Sequence, residues 1–267
     1  MHSYQEENII PVIKEANQIG SIKRKTKIRP LDDVDILLVI GIGRYHDNGW
    51  HVIDDCSYEW ERDDKDENDN ISSIHILNKL RDRLLVTYPN SEIKRNNEVV
   101  NVYLKSYDVG FDLVPGFYIR DKDYYLIPKG SKSTQWKKTN PKIDELILNN
   151  INSNNNNRIK DVIKMAKYFF SYKKIPRIRS YHLESCAYHI FKDITGNYST
   201  REYLKYFYSN IDSSYLNSCI DPTGLSDNLT SYLESEEIIK ILSQLALAVS
   251  SLDHSEEDYC EFVGFYN

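Results

Sequence analysis

The stretch "GSIKRKTKIRPLDDVDILLVI", Gly20 to Ile40, places Asp32, Asp33 and Asp35 directly ahead of one of the most apolar runs in the chain. A strand sends alternate side chains to opposite faces, so Asp33 and Asp35 share one face while Asp32 and Val34 share the other. Two like charges held side by side repel, and each is harder to ionise unless a cation intervenes. A divalent metal removes the conflict. Hard carboxylate oxygens suit Mg²⁺, which commonly takes one or two carboxylates together with substrate phosphates. Alone, a D-x-D pair is more often a turn than a metal site, so its context decides.

Two further segments supply that context. In "VGFDLVPGF", Val109 to Phe117, Asp112 sits between Phe111 and Leu113 in a second apolar strand. A carboxylate there costs free energy unless it is paired or bound to metal. If this strand neighbours the first, Asp112 joins Asp33 and Asp35. Three such carboxylates can hold two Mg²⁺ ions, with Mn²⁺ as a substitute, roughly 3.5–4 Å apart for in-line phosphoryl transfer. Ahead of them stands Gly20-Ser21. Glycine permits close backbone approach, so amides can meet phosphate oxygens, and the serine hydroxyl adds a donor. In isolation this dipeptide would be an ordinary turn.

The 267 residues suffice for two ordinary domains or one large one. A net charge of −6 is the wrong sign for a protein whose main partner is nucleic acid. Cys56, Cys186, Cys219 and Cys260 are far apart and form no C-x-x-C pair. They read as reduced thiols of a cytoplasmic protein, Cys186 and Cys219 packing as small hydrophobes. The polar start "MHSYQEENII" is not a targeting segment, and "ILLVIGI", Ile36 to Ile42, is too short to span a bilayer.

Residues 1–148 read as mixed α/β. Ile36–Ile42 is a buried strand, Val99–Phe117 one or two strands, and Ile71–Tyr88 a helix with Ile74, Leu77, Leu80 and Leu84 on one side. "ERDDKDENDN", Glu61 to Asn70, reads as a solvated loop, as does the basic "KRKTKIR", Lys23 to Arg29. The Asn-rich residues 149–157 read as a linker or exposed loop, and 158–267 as helical. Ile159, Val162, Ile163, Ala166, Phe169 and Phe170 match one helix face; Leu183, Cys186, Ala187, Ile190, Phe191 and Ile194 match another, and Ile238–Leu252 forms a third helix.

"GS", then Thr26 to Asp35 as T-x-I-x-P-x-x-D-V-D, then "FDLVP" from Phe111 resembles the DNA polymerase β-like nucleotidyltransferases. More narrowly it is similar to the cyclic GMP-AMP synthase and oligoadenylate synthase group, whose bacterial CD-NTases make nucleotide second messengers in CBASS antiphage defence. "KMAKYFFSYKK", Lys164 to Lys174, resembles the helix that places a lysine on the donor phosphates, which puts Lys167 in that role. "SYHLES" resembles the motif whose serine reaches phosphate and whose tyrosine stacks on the base, here Ser180 and Tyr181. "DPTG", Asp221 to Gly224, and "YYLIPKGSKSTQWKKTNP", Tyr124 to Pro141, also match family segments. Without the family, Lys167 would be a lysine at the margin of an apolar stripe, Ser180 a helix cap, and Tyr181 one of 21 tyrosines. Two departures are visible: 19 residues precede Gly20, where the family carries a long helix, and Gly116 stands where alanine is frequent.

The resemblance implies a two-lobed α+β enzyme with a small mixed sheet, a C-terminal helical bundle and an active site in the cleft. It implies Asp33, Asp35 and Asp112 on metal, and Gly20, Ser21, Lys167, Ser180 and Tyr181 on nucleotide. NTPs would be joined into a cyclic or short linear oligonucleotide with release of pyrophosphate. A CCA-adding or poly(A)-like RNA nucleotidyltransferase, a protein-modifying nucleotidyltransferase and a nucleotide sensor on a decayed scaffold remain as other readings.

Overall fold

The computed structural model describes residues 11–28, 33–45, 51–55, 60–67, 70–130, 133–226 and 228–264. Asp32, Cys56, the first ten residues and part of the Glu61–Asn70 block lie outside them. The chain is α+β in two units: Met1–Ile22 with Arg29–Asn140, and Lys23–Ile28 with Pro141–Asn267. Among the described residues no helix is long and apolar enough to cross a membrane.

The first unit is built on β2 (Asp33–Tyr45). Around it run β1 (Glu15–Gln18), β3 (His51–Asp55), β4 (Glu92–Asn96), β5 (Val99–Leu104), β6 (Val109–Ile119), β7 (Tyr124–Pro128) and β8 (Trp136–Thr139). The sheet order is β1-β2-β6-β5-β4; β3 also pairs with β2, β7 with β6, and β8 with β7. β2 and β6 are parallel, whereas β1, β3 and β5 join them antiparallel. Alternation divides the apolar run of β2. Ile36 and Leu38 pack with Leu77, Leu80, Val100 and Val102 under the helix α2 (Ser73–Thr87), while Leu37 and Val39 pack on the other face with Val114, Tyr125 and Ile127. The Val99–Phe117 segment is thus two strands, and α2 lies where the sequence places it.

The Glu61–Asn70 block is less solvated than its charge suggests. Arg62–Asp64 forms a short 3-10 turn in which Asp64 is fully buried, accepts from Glu61 N at 3.1 Å and pairs with Lys79 at 2.6 Å. A paired carboxylate tolerates burial that an isolated one would not.

In the second unit, α3 (Pro141–Asn154) is followed by α4 (Ile159–Tyr172), α5 (Ser180–Phe191), α6 (Thr200–Asn210), α7 (Ser213–Asn217), α8 (Ser235–His254) and α9 (Glu256–Phe262). The apolar faces read for α4 and α5 are buried except for Ile194, which is partly so, and α8 buries Ile238, Ile241, Leu245, Ala248 and Leu252 at helical spacing. The sequence boundary at residue 148 falls inside α3, and the expected linker 149–157 is a helix end and a helix junction. The asparagines explain the difference. Asn155 is fully buried, its Nδ2 donating to Ile151 O at 2.8 Å and Ile194 O at 2.9 Å. Asn156 and Asn157 take φ of 52° and 58°, a region that asparagine tolerates at helix ends. Asn152 Oδ1 accepts from Lys160 N at the start of α4.

The basic Lys23–Arg29 run is likewise not simply solvated. Arg24, Thr26, Lys167 and Glu184 are 8%, 0%, 5% and 5% exposed. Arg24 Nε donates to Glu184 Oε2 at 2.6 Å, and Thr26 Oγ1 and Lys167 Nζ donate to Oε1 at 2.6 and 2.8 Å. Lys25, between the two inward side chains, has a φ of 60° and is exposed. Burial raises the Glu184 carboxyl, but Arg24 and Lys167 outweigh it and hold it below its ordinary value.

Removing one partner of a buried ion pair costs about 3–5 kcal/mol, because the remaining charges lose compensation. Glu184→Ala should lower the unfolding free energy by that order in denaturant titration; a change within about 0.5 kcal/mol, the scale of an ordinary surface substitution, would remove the network from the stabilising core. Because the folded value is depressed, the stabilisation is complete above the unfolded value, about 4.3, and is lost as the pH falls through the folded one. Glu184→Gln should flatten that acid limb.

Candidate active site

The carboxylates are assembled by strand register. Asp35 is the partner of Asp112, and Asp33 of Gly110, in the parallel β2–β6 ladder. Paired residues on neighbouring strands project from the same face about 4.8 Å apart. Asp33 lies two residues from Asp35 on that face. It is the face of Leu37, Val39 and Val114, opposite α2, at the end where β2 begins. Asp33 is exposed; Asp35 and Asp112 are half-buried. Next along, Asn101 of β5 pairs with Asp112, and its Nδ2 donates to Asp112 Oδ1 at 2.9 Å. This hydrogen bond fixes one carboxylate oxygen and leaves the other lone pairs available. Sequence reasoning missed Asn101, whose only signal is a polar residue inside a Val-rich strand.

Gly20 reaches this face through β1. Gln18 pairs with Ile36, Ile19 N donates to Asp35 O at 2.9 Å, and the chain then turns into the single-turn helix α1 (Gly20–Lys23). Gly20 has a φ of +72°, and a Cβ there would lie 1.9 Å from Asp35 Oδ2. The space that a side chain would fill is occupied by the carboxylate. Ser21 follows half-buried in the same turn. Gly20, Ser21, Asp33, Asp35 and Asp112 thus belong to one unit, with Gly20 directly against Asp35.

Lys167, Ser180 and Tyr181 belong to the other unit. Lys167 has three ammonium protons to donate. Glu184 Oε1, Thr26 O and Thr26 Oγ1 lie 2.8, 3.1 and 3.2 Å from its Nζ. These acceptors match the donor count, so each ammonium proton has a partner within the helical unit. Burial lowers the Lys167 pKa, and Glu184 opposes that shift. Ser180 is the first residue of α5 and half-buried, at the end where a helix carries partial positive charge. Tyr181 follows it. Its hydroxyl lies 2.8 Å from Asp144 Oδ1 and 2.7 Å from Asp221 Oδ1, and the Arg24 guanidinium lies 5.8 Å from its ring centroid. Burial raises the Asp144 carboxyl to about 6, against the Tyr181 hydrogen bond and Arg24. Burial also acts upward on Asp221, but hydrogen bonds from Tyr181, Thr223 and Ser226 bring it below its ordinary value. Asp221 is visible in "DPTG"; Asp144 carries no local signal.

The donor atoms of His182, Cys186 and Cys219 also lie within 4.8 Å of one another. Both ring nitrogens of His182 already have partners, Tyr232 Oη and Tyr215 O, each at 2.8 Å. The two thiols are free and buried in the helical core, as their apolar surroundings in the sequence imply. The three aspartates stand on one sheet face, two on β2 and one on β6.

A family model described as SMODS, Second Messenger Oligonucleotide or Dinucleotide Synthetase domain, matches residues 4–155. A probable cyclic nucleotide synthase of Bacillus cereus (strain VD146) is 30% identical over 250 residues, 90% of this chain and 74% of that protein. The fold is shared with solved structures, CdnC and DncV among them. CdnC of E. coli MS115-1, solved with ATP, gives a TM-score of 0.68 at 16% identity, covering 94% of this chain and 81% of its own. The Vibrio cholerae di-nucleotide cyclase DncV, solved with ATP and GTP, gives 0.66 at 12% identity, covering 95% and 70%. With the carboxylates in adjacent register on β2 and β6, the chain belongs to the second messenger oligonucleotide or dinucleotide synthetase family, the CD-NTase nucleotidyltransferases of the CBASS type.

Proposed function

We propose that this chain joins nucleoside triphosphates into a cyclic or short linear oligonucleotide second messenger for antiviral signalling, releasing pyrophosphate at each step. The observation that carries this is the carboxylate face with Gly20 turned against Asp35. The three acidic side chains offer hard oxygen donors and no soft ones, which fits Mg²⁺. Asp33, Asp35 and Asp112 would hold two such ions, which supply charge neutralisation at the triphosphate and ease ionisation of the acceptor hydroxyl.

The chain's own groups do the rest. Asp112, oriented by Asn101, accepts the proton of the acceptor hydroxyl. The hydroxyl oxygen then bonds to the α-phosphorus, and the bond from that phosphorus to the pyrophosphate oxygen breaks. Ser21 and the amides of the turn at Gly20 donate to phosphate oxygens, and Ser180 adds a hydroxyl at the amino-terminal end of α5. The Tyr181 ring stacks on a base. Lys167 acts through Glu184, holding in place the helix that carries Ser180 and Tyr181. A cytoplasmic setting, where NTPs are at hand and thiols stay reduced, fits the free cysteines.

Incubation with all four NTPs and Mg²⁺, then phosphatase and mass spectrometry, should yield a phosphatase-resistant oligonucleotide of a few nucleotides. Incorporation only into added tRNA would instead establish an RNA-extending enzyme. Asp112→Asn should lower the rate of pyrophosphate release by about 10²–10⁴-fold with the thermal midpoint unchanged; a wild-type rate would remove Asp112 as base. Gly20→Ala must adopt a strained φ and displace the Asp35 carboxylate, so turnover should drop by about 10²-fold.

A further inference from the structure

The Tyr181 hydroxyl has more carboxylate than it can satisfy. A phenol carries one proton, yet Asp144 Oδ1 and Asp221 Oδ1 lie 2.8 and 2.7 Å from the same oxygen. Asp221 is already surrounded by donors. Its Oδ1 accepts from Thr223 N at 2.9 Å, and its Oδ2 from Thr223 Oγ1, Ser226 N and Ser226 Oγ at 2.9, 3.0 and 2.9 Å. Four donors besides the tyrosine fix Asp221 as an anion, so the phenolic proton points to it. The contact between Asp144 and Tyr181 then joins two oxygens, and it attracts only if Asp144 brings a proton of its own.

The surroundings supply a reason for it to do so. Asp144 faces Tyr181 and Glu184 from α5, Asp221 from the loop after α7, and Arg24 from the Lys23–Ile28 segment. Arg24 is the one cation in that set, and its Nε is committed to Glu184 at 2.6 Å. Leu148, Ile151 and Pro222 line the same narrow cavity beside Asp144 and limit the water that could solvate its charge.

We propose that Asp144 and Asp221 are positioning residues that fix the Tyr181 ring for base stacking, through a directed chain in which protonated Asp144 donates to Tyr181 and Tyr181 donates to anionic Asp221. This rests on Tyr181 being the base platform. It adds a dependence that the platform alone lacks: nucleotide affinity follows the proton on Asp144. The chain is complete while that carboxyl is neutral. It is lost as the pH rises through about 6, where two anions compete for one proton.

The test is calorimetric titration of the full chain with Mg²⁺ and the α,β-methylene analogues of the four NTPs, at pH 5.5 and 7.5. Asp144→Asn keeps a permanent N–H donor and cannot titrate; Tyr181→Phe keeps the ring and loses the hydroxyl. Both are nearly isosteric, and thermal unfolding checks that they fold. At pH 7.5 the asparagine variant should bind roughly tenfold tighter than wild type, the two converging at pH 5.5. The phenylalanine variant should bind more weakly than wild type at pH 5.5, and its affinity should change between pH 5.5 and pH 7.5 no more than that of Asp144→Asn does. Parallel pH profiles for wild type and Asp144→Asn, or wild-type affinity in Tyr181→Phe, would overturn the proposal alone, provided Tyr181→Ala still weakens binding. If Tyr181→Ala binds like wild type, or if none of the four analogues binds, the base-platform assignment fails and takes the proposal with it.

Discussion

Parallel pairing of β2 with β6 is the constraint on which the carboxylate site depends. It sets Asp35 beside Asp112 and, through the two-residue period, brings Asp33 onto the same face. A one-residue slip of either strand would turn its carboxylates toward the apolar side under α2 and expose the residues that now pack there. The same alternation that buries Ile36 and Leu38 on one face and Leu37 and Val39 on the other therefore fixes where the charges stand. The site gains its geometry from the core's need to bury both faces of β2.

The helical unit solves a different electrostatic problem. It places ionised groups in its interior, and Glu184 makes this tolerable by accepting from Arg24, Thr26 and Lys167 together. Glu184 stands one turn beyond Ser180 and Tyr181 on α5, so the interactions that anchor the helix also orient the residues assigned to the nucleotide. Asp221 has a comparable position in the loop after α7, where its carboxylate gathers the donors of Thr223 and Ser226 before it meets the tyrosine.

Sequence reading captured what local periodicity encodes. The faces of α4 and α5, the strand at Ile36–Ile42 and the shared face of Asp33 and Asp35 follow from periods of 3.6 and 2. It was weaker wherever a residue's partner is remote. Arg24 and Thr26 look like part of a solvated basic run until Glu184 is brought to them, and Asp64 looks exposed until Lys79 pairs with it. The asparagine run is opaque to composition, which does not distinguish a polar linker from caps: the Asn155 amide donates to two carbonyls, one of them distant in sequence. Lys167 stands out by its motif, but its buried partners cannot be read from the helix that carries it.

The segment Lys23–Ile28 belongs with the helices although its flanks belong with the sheet. Arg24 and Glu184 are 160 residues apart. In chain order the sheet strands through β8 precede Glu184, so the acceptor shared by Arg24 and Thr26 comes after the whole sheet. Excision of the helical bundle as a fragment starting at Pro141 would leave Glu184 with Lys167 alone, short of two of its donors. The order of the chain thus makes completion of the bundle depend on a segment that precedes strands β2 to β8 of the sheet.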